Sequence, residues 1–196
     1  MLEFAAAGPS GFDPLRLNAR SLPLRVVFVL AGTLALALAS RISVPMVPVP
    51  ITMQTFAVTM IGVLYGWRLG TLTVLAWLGE AMVGLPVLAG GAGGLASFVG
   101  PTAGYLVSFP LMAAMVGWLA ERGWTGRRVV LSFVAHFAAN IFCLVLGGAW
   151  LATLMGMEKA LMLGVVPFVL GAVLKSALAA ALLKAVAPHM QAPARP

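Results

Sequence analysis

A chain of 196 residues with 62% hydrophobic and 9% charged side chains, and a mean hydropathy of +1.06, has too little polar surface to coat a soluble globule. Such a domain carries about 25% charged residues, so the composition excludes an ordinary water-soluble fold and implies one integral membrane domain with lipid as its solvent. A net charge of +7 in a soluble protein would suggest nucleic acid. Here the basic residues segregate to one membrane face, which makes them an orientation signal, and no nucleic-acid partner is expected.

Residues 1–22 contain the breakers Gly8, Pro9, Gly11 and Pro14 and read as a retained, flexible cytoplasmic tail. The membrane domain is expected over 23–188, with a short cytoplasmic tail at 189–196. Six spans can be drawn, each near the ~20 residues that cross a ~30 Å hydrocarbon core. The first covers 24–40, and the linker 41–50 follows, kept extended by Pro45, Pro48 and Pro50. The second covers 51–67, with Trp67 at an interface, and the third covers 69–86. The stretch 87–100 is too rich in glycine for a stable helix. The fourth span is placed at 101–120, the fifth at 128–151 after a polar turn, and the sixth at 167–187; Pro101 and Pro167 each suit a first helical position.

Six spans put both termini on one face, together with Arg16, Arg20, Arg25, Arg68, Arg122, Arg127, Arg128, Lys184 and Arg195. Arg41 and Lys159 fall on the other face and Lys175 inside the last span. The bias assigns both termini to the cytoplasm of a bacterial inner-membrane protein. No tandem duplication and no alternating barrel strands are visible.

The polar residues within the spans gather at one depth. At 1.5 Å per residue, Lys175 is expected about 12 Å below the outer end of the sixth helix and Asn140 about 10 Å below that surface. Glu80 comes out at about 10–13 Å, and Gln54 and Tyr105 at about 5–6 Å. Five helices thus each contribute a polar group to the outer half, as a solute pocket open to the outside requires. An ammonium in hydrocarbon costs about 2.5–3.5 kcal/mol on insertion scales, so Lys175 needs a partner. Plainer roles stand beside the ligand-binding ones. Asn140 serves equally as an interhelical staple, Gln54 as a cap, Tyr105 as part of the aromatic belt, and Glu80 as a structural ion-pair partner of Lys175. His136 reads as a packed or hydrogen-bonded residue, because no second His or Cys stands at metal spacing.

The glycines around Gly90 and Gly91 lack the Lys-Ser/Thr of a phosphate loop, and they suit close backbone approach to a ligand or a helix. No Ser-His-Asp order, HExxH or carboxylate pair is present, so neither enzyme activity, cofactor nor metal is expected. Ala31, Ala35 and Ala39 form a small-residue ridge on the first span, suited to internal packing or to a partner helix. The single cysteine, Cys143, can form no internal disulfide.

The words VPVPITMQT (47–55), GLPVLAGGAGG (84–94) and GPTAGYLVSF (100–109) resemble the BioY family, the biotin-binding S components of energy-coupling factor (ECF) transporters, in order and spacing. The resemblance extends over most of 24–187. It implies an all-α, six-helix S-component bundle that binds biotin near its outer face and docks, through its alanine-rich first helix, onto a transmembrane T component and two ATPase subunits. The family's sixth helix reads G-D-L-x-K; here it is Gly171-Ala172-Val173-Leu174-Lys175, with the lysine kept and the acid replaced by Ala172. Glu80 or the ligand's own carboxylate is then expected to face Lys175. Asn140, Gln54 and Tyr105 suit the ureido group, and Lys175 and Arg41 the carboxylate. The competing expectations are a stand-alone proton-coupled carrier with Glu80 and Lys175 as its relay, and an intramembrane assembly subunit.

Overall fold

The structure, a computed structural model, describes residues 14, 15 and 17–190. Most of the expected tails, including Arg16 and Arg195, lies outside the described residues. Helix α1 runs Leu22–Arg41, α2 Gln54–Met82, α3 Ala103–Glu121, α4 Val129–Met155, the short α5 Met157–Ala160, and α6 Val166–Met190. A π-helical turn, Leu161–Val165, joins α5 to α6. Two short strands, β1 (Ser43–Val44) and β2 (Ile51–Thr52), pair antiparallel between α1 and α2, with Ser43 opposite Thr52.

Among the described residues five helices, not six, are long and apolar enough to cross a membrane, the last being the continuous run Met157–Pro188. The protein is an all-helical, multi-pass membrane protein. The expected second and third spans are two arms of α2. Gly66 leaves helical geometry at φ 76° and ψ 168°, a region essentially reserved for glycine. A straight helix would separate Gly62 from Gly70 by about 12 Å. Instead, the position a Cβ would take at Gly70 lies 3.0 Å from the Gly62 Cα, so the arms fold back against each other around a single residue. Gly117 of α3 packs onto the same point, facing the Gly62 carbonyl and the Trp67 backbone.

Contacts between elements define two ends of the bundle. At one end Tyr65 Oη donates to the Phe28 carbonyl (2.9 Å), Trp67 N–H donates to Glu121 Oε1 (3.3 Å), and Gly126 abuts the Leu183 backbone. The described basic residues Arg20, Arg25, Arg68, Arg122, Arg127, Arg128 and Lys184 belong here, with the Arg68 guanidinium 5.1 Å from the Trp67 ring. At the opposite end Arg41 Nη2 donates to the Pro86 carbonyl (2.7 Å) and Trp150 Nε1 to the Gly100 carbonyl (2.9 Å).

The bundle core between α2, α3, α4 and α6 is apolar and tightly filled, with Trp77, Met112, Val116 and Leu151 fully buried. Helix α1 stands at its edge. It buries only Gly32, Thr33, Leu36 and Ser40, while Val26, Leu30, Leu34 and Leu38 are exposed, as lipid permits.

One expected depth needs correction. Lys175 was expected about 12 Å from the start of the last span, but that span begins at Met157, ahead of α6 itself, which places Lys175 about 27 Å along it. Pro167 does not open the span because the π turn immediately before it accommodates a residue that cannot donate to the preceding turn. Helix α4 likewise continues to Met155, four residues past the expected end.

Candidate functional site

A cavity of about 140 Å³ opens among the start of α2, the loop after it, and α3, α4 and α6. One buried water needs only about 10–15 Å³, so the space suits a small solute. Of the residues singled out by sequence, Lys175, Asn140, Tyr105 and Gln54 line it. The rest of the wall is largely apolar, with Leu88, Leu106, Phe109, Leu144 and Phe168. Among the described lining residues Lys175 alone carries charge.

Lys175 Nζ donates to Thr55 Oγ1 (2.7 Å) and to the Thr52 carbonyl (3.1 Å). These partners correct the expected pairing with Glu80, which sits at the far end of α2 and outside the lining. Both are neutral oxygens, so among the described residues the ammonium is hydrogen-bonded but not charge-compensated. An ammonium has three donors, and one remains for a ligand. Ala172, one turn before Lys175, also lines the cavity, leaving no acid on that face of α6.

Gln54 is buried and is not a helix cap. Its Nε2 donates to Ser40 Oγ (3.1 Å), its Oε1 accepts from Thr52 Oγ1 (3.0 Å), and its own N–H donates to Thr52 Oγ1 (3.2 Å). Ser40 Oγ in turn donates to the Leu36 carbonyl (2.7 Å). One chain of polar contacts therefore runs from α1 through Gln54 and Thr52 to Lys175 on α6.

Asn140 Nδ2 donates to the His136 carbonyl (2.9 Å) and to Ser176 Oγ (3.4 Å). No bond among the described residues uses its Oδ1, which remains an acceptor on a residue lining the cavity. The staple and the ligand-facing role coexist in one side chain.

Tyr105 is fixed from three sides. Its Oη donates to the Gly164 carbonyl in the π turn (2.7 Å) and its ring lies 6.3 Å from Phe168 at 29°. A Cβ at Gly147 would collide with the ring. The hydroxyl hydrogen is thus spent on the protein, while the phenol oxygen keeps its capacity to accept.

Arg41 and the glycine loop form a separate unit at the rim. Gly90 and Gly91 have left-handed φ of 65° and 78°. Arg41 Nη1 lies 2.9 Å from where a Gly91 Cβ would stand, so the side chain is laid across bare backbone and anchored on Pro86. Neither Arg41 nor Gly90 nor Gly91 lines the cavity; Ala89 and Ala92 of the same loop do. Sequence reasoning missed Thr52, Thr55, Ser40 and Ser176. Thr52 and Thr55 lie within the 47–55 motif beside Gln54, which was the available signal.

The BioY family model matches residues 13–192. The biotin transporter BioY of Rhizobium etli is 40% identical over 178 residues, covering 87% of this chain and 94% of that protein. The probable biotin transporter BioY of Pyrococcus horikoshii is 36% identical over 140 residues, 71% of this chain and 82% of its own length. A crystal structure of the S-component for biotin from an ECF-type ABC transporter superposes with a TM-score of 0.72 at 25% identity, covering 85% of this chain and 92% of that one. The apolar helices, the cavity they enclose and these likenesses lead to one conclusion: the chain belongs to the BioY family.

Proposed function

We propose that the protein takes up biotin across the bacterial cytoplasmic membrane, acting as the high-affinity substrate-capture S component of an ECF-type transporter. The observation that carries this reading is the lone, charge-uncompensated Lys175 in an otherwise neutral cavity, in a chain whose relatives are biotin transporters. Biotin supplies what the cavity lacks: a carboxylate for a cation, polar ureido atoms for amides, and an apolar ring for the remaining wall. Lys175 holds a ligand oxygen with its third donor. Asn140 Oδ1 accepts from a ligand N–H, and the Tyr105 ring packs against the ring system. Gln54 keeps Thr52, and through it Lys175, in place. Arg41, Gly90 and Gly91 form the rim and guide the anion inward rather than holding it.

The topology that goes with this reading has six crossings, supported by the reversal of α2 at Gly66. The basic end is cytoplasmic by the positive-inside rule, so both termini face the cytoplasm and the cavity opens toward the outside. Partner assembly uses Ala31, Ala35 and Ala39. The first two are exposed and the third half-buried, off the stripe that α1 buries against the bundle. The partners are a T component and two ABC-type ATPase subunits. The stand-alone proton-coupled carrier has less support, since its relay needed Glu80 beside Lys175.

Titration calorimetry of the purified chain with biotin tests the proposal. A tight one-to-one complex is expected, and absence of binding overturns it. Uptake into vesicles lacking any ATPase, abolished by collapsing the proton gradient, would favour the carrier instead.

A further inference from the structure

Ser132 and His136 stand one helical turn apart on α4 and are 0% and 1% exposed. Ser132 Oγ, His136 Nδ1 and His136 Nε2 have no hydrogen-bond partner among the described residues. The large majority of buried side-chain polar atoms in proteins are paired, with protein or with ordered water. Three orphaned atoms on adjacent turns therefore require an explanation.

Their surroundings supply one. The α4–α6 seam is pinned at two levels: Asn140 donates to Ser176, and Gly126, just before α4, abuts the Leu183 backbone. Ser132 and His136 lie between these levels on α4, and Ala179 and Ala180, both buried, lie between them on α6. Alanines offer no side-chain polar atom to either residue. Side chains at i and i+4 have Cβ atoms about 5–6 Å apart, a span that one water bridges with an ordinary hydrogen bond to each. A buried water makes about three such bonds, and a serine hydroxyl with an imidazole supplies most of them.

We infer that Ser132 and His136 bind at least one ordered water in the α4–α6 seam, forming a second internal polar site distinct from the cavity. Neither residue lines the cavity. The site lies one and two turns from Asn140 toward the basic end, on the same stripe of α4. The seam there is held through water, in contrast to the direct Asn140–Ser176 contact above it. This inference is independent of what the cavity binds.

Two measurements on the full chain test it. The protein has two histidines, so histidine-selective ¹⁵N labelling in nanodiscs gives two ring systems, and His136→Gln assigns them. Magnetisation transfer from bound water to the His136 ring is expected; a ring with no water contact overturns the site. Thermal unfolding supplies the second readout. His136→Leu is expected to lower Tm by about 3 °C or more, and His136→Gln, which keeps a donor and an acceptor, by less. Ser132→Ala should add little in the His136→Leu background, since both remove the same bridge. A Tm unchanged or raised by His136→Leu, as for dry orphaned groups, would refute the inference.

Discussion

At the scale of single residues, the proposed function turns on how one cation is held. Thr55 Oγ1 and the Thr52 carbonyl solvate Lys175 without neutralising it, so removing the ammonium should cost a bound carboxylate its only counter-charge in the cavity. Lys175→Ala is expected to weaken biotin binding at least tenfold, about 1.4 kcal/mol or more, and an unchanged dissociation constant would remove Lys175 from the site. Thr55→Val takes away one of the two bonds that aim the amine. It should weaken binding by a smaller step, about 0.5–1.5 kcal/mol, in the same titration. Glu80→Gln is expected to leave the affinity unaltered, because Glu80 is outside the lining; a loss matching that of Lys175→Ala would restore the pairing drawn from sequence. Lys175 and Asn140 were legible because polar groups inside apolar runs are costly enough to need a reason. Their partners were not legible, since Thr52, Thr55 and Ser176 are small hydroxyl residues whose local hydrogen bonds are indistinguishable in sequence from ordinary helix decoration.

At the scale of elements, hydropathy located the helices and most of their ends to within a few residues, and missed how neighbouring elements join. Helix α6 does start beside Pro167, at Val166, but the span it belongs to begins ten residues earlier, at Met157, because a π turn joins α5 to α6 without a break. The two spans separated at Arg68 proved to be the arms of one element, and the turn is Gly66 itself. A run of apolar residues does not reveal that a single glycine at φ 76° can reverse a helix. This conformation makes a specific demand. Gly66→Ala forces a side chain into backbone geometry that costs about 1–3 kcal/mol, so thermal unfolding in detergent should show Tm lowered by about 2–10 °C. Tm unchanged would mean that the arms do not depend on that geometry. The fraction that remains folded should bind biotin normally, because Gly66 lies at the end of the bundle away from the cavity.

At the scale of the whole molecule, α1 has two faces with different duties. Its inner face is joined to the cavity wall through Ser40 and Gln54, and its outer face leaves Ala31 and Ala35 exposed among the described residues. A helix that buries only four residues against its own bundle has surface left for lipid or for a second protein, and small residues allow the closest helix approach. If that ridge is where a T component docks, bulk placed there should separate capture from transport. Ala35→Trp points away from Ser40 and Leu36, so calorimetry should return a biotin affinity within about twofold of the parent. Uptake by cells supplying the T component and both ATPases should fall about tenfold or more, together with co-purification of the four-part complex. Loss of affinity would mean that the outer face of α1 is coupled to the cavity. Undiminished uptake would mean that the ridge meets only lipid, and that the energising partner, if one is used, engages another surface.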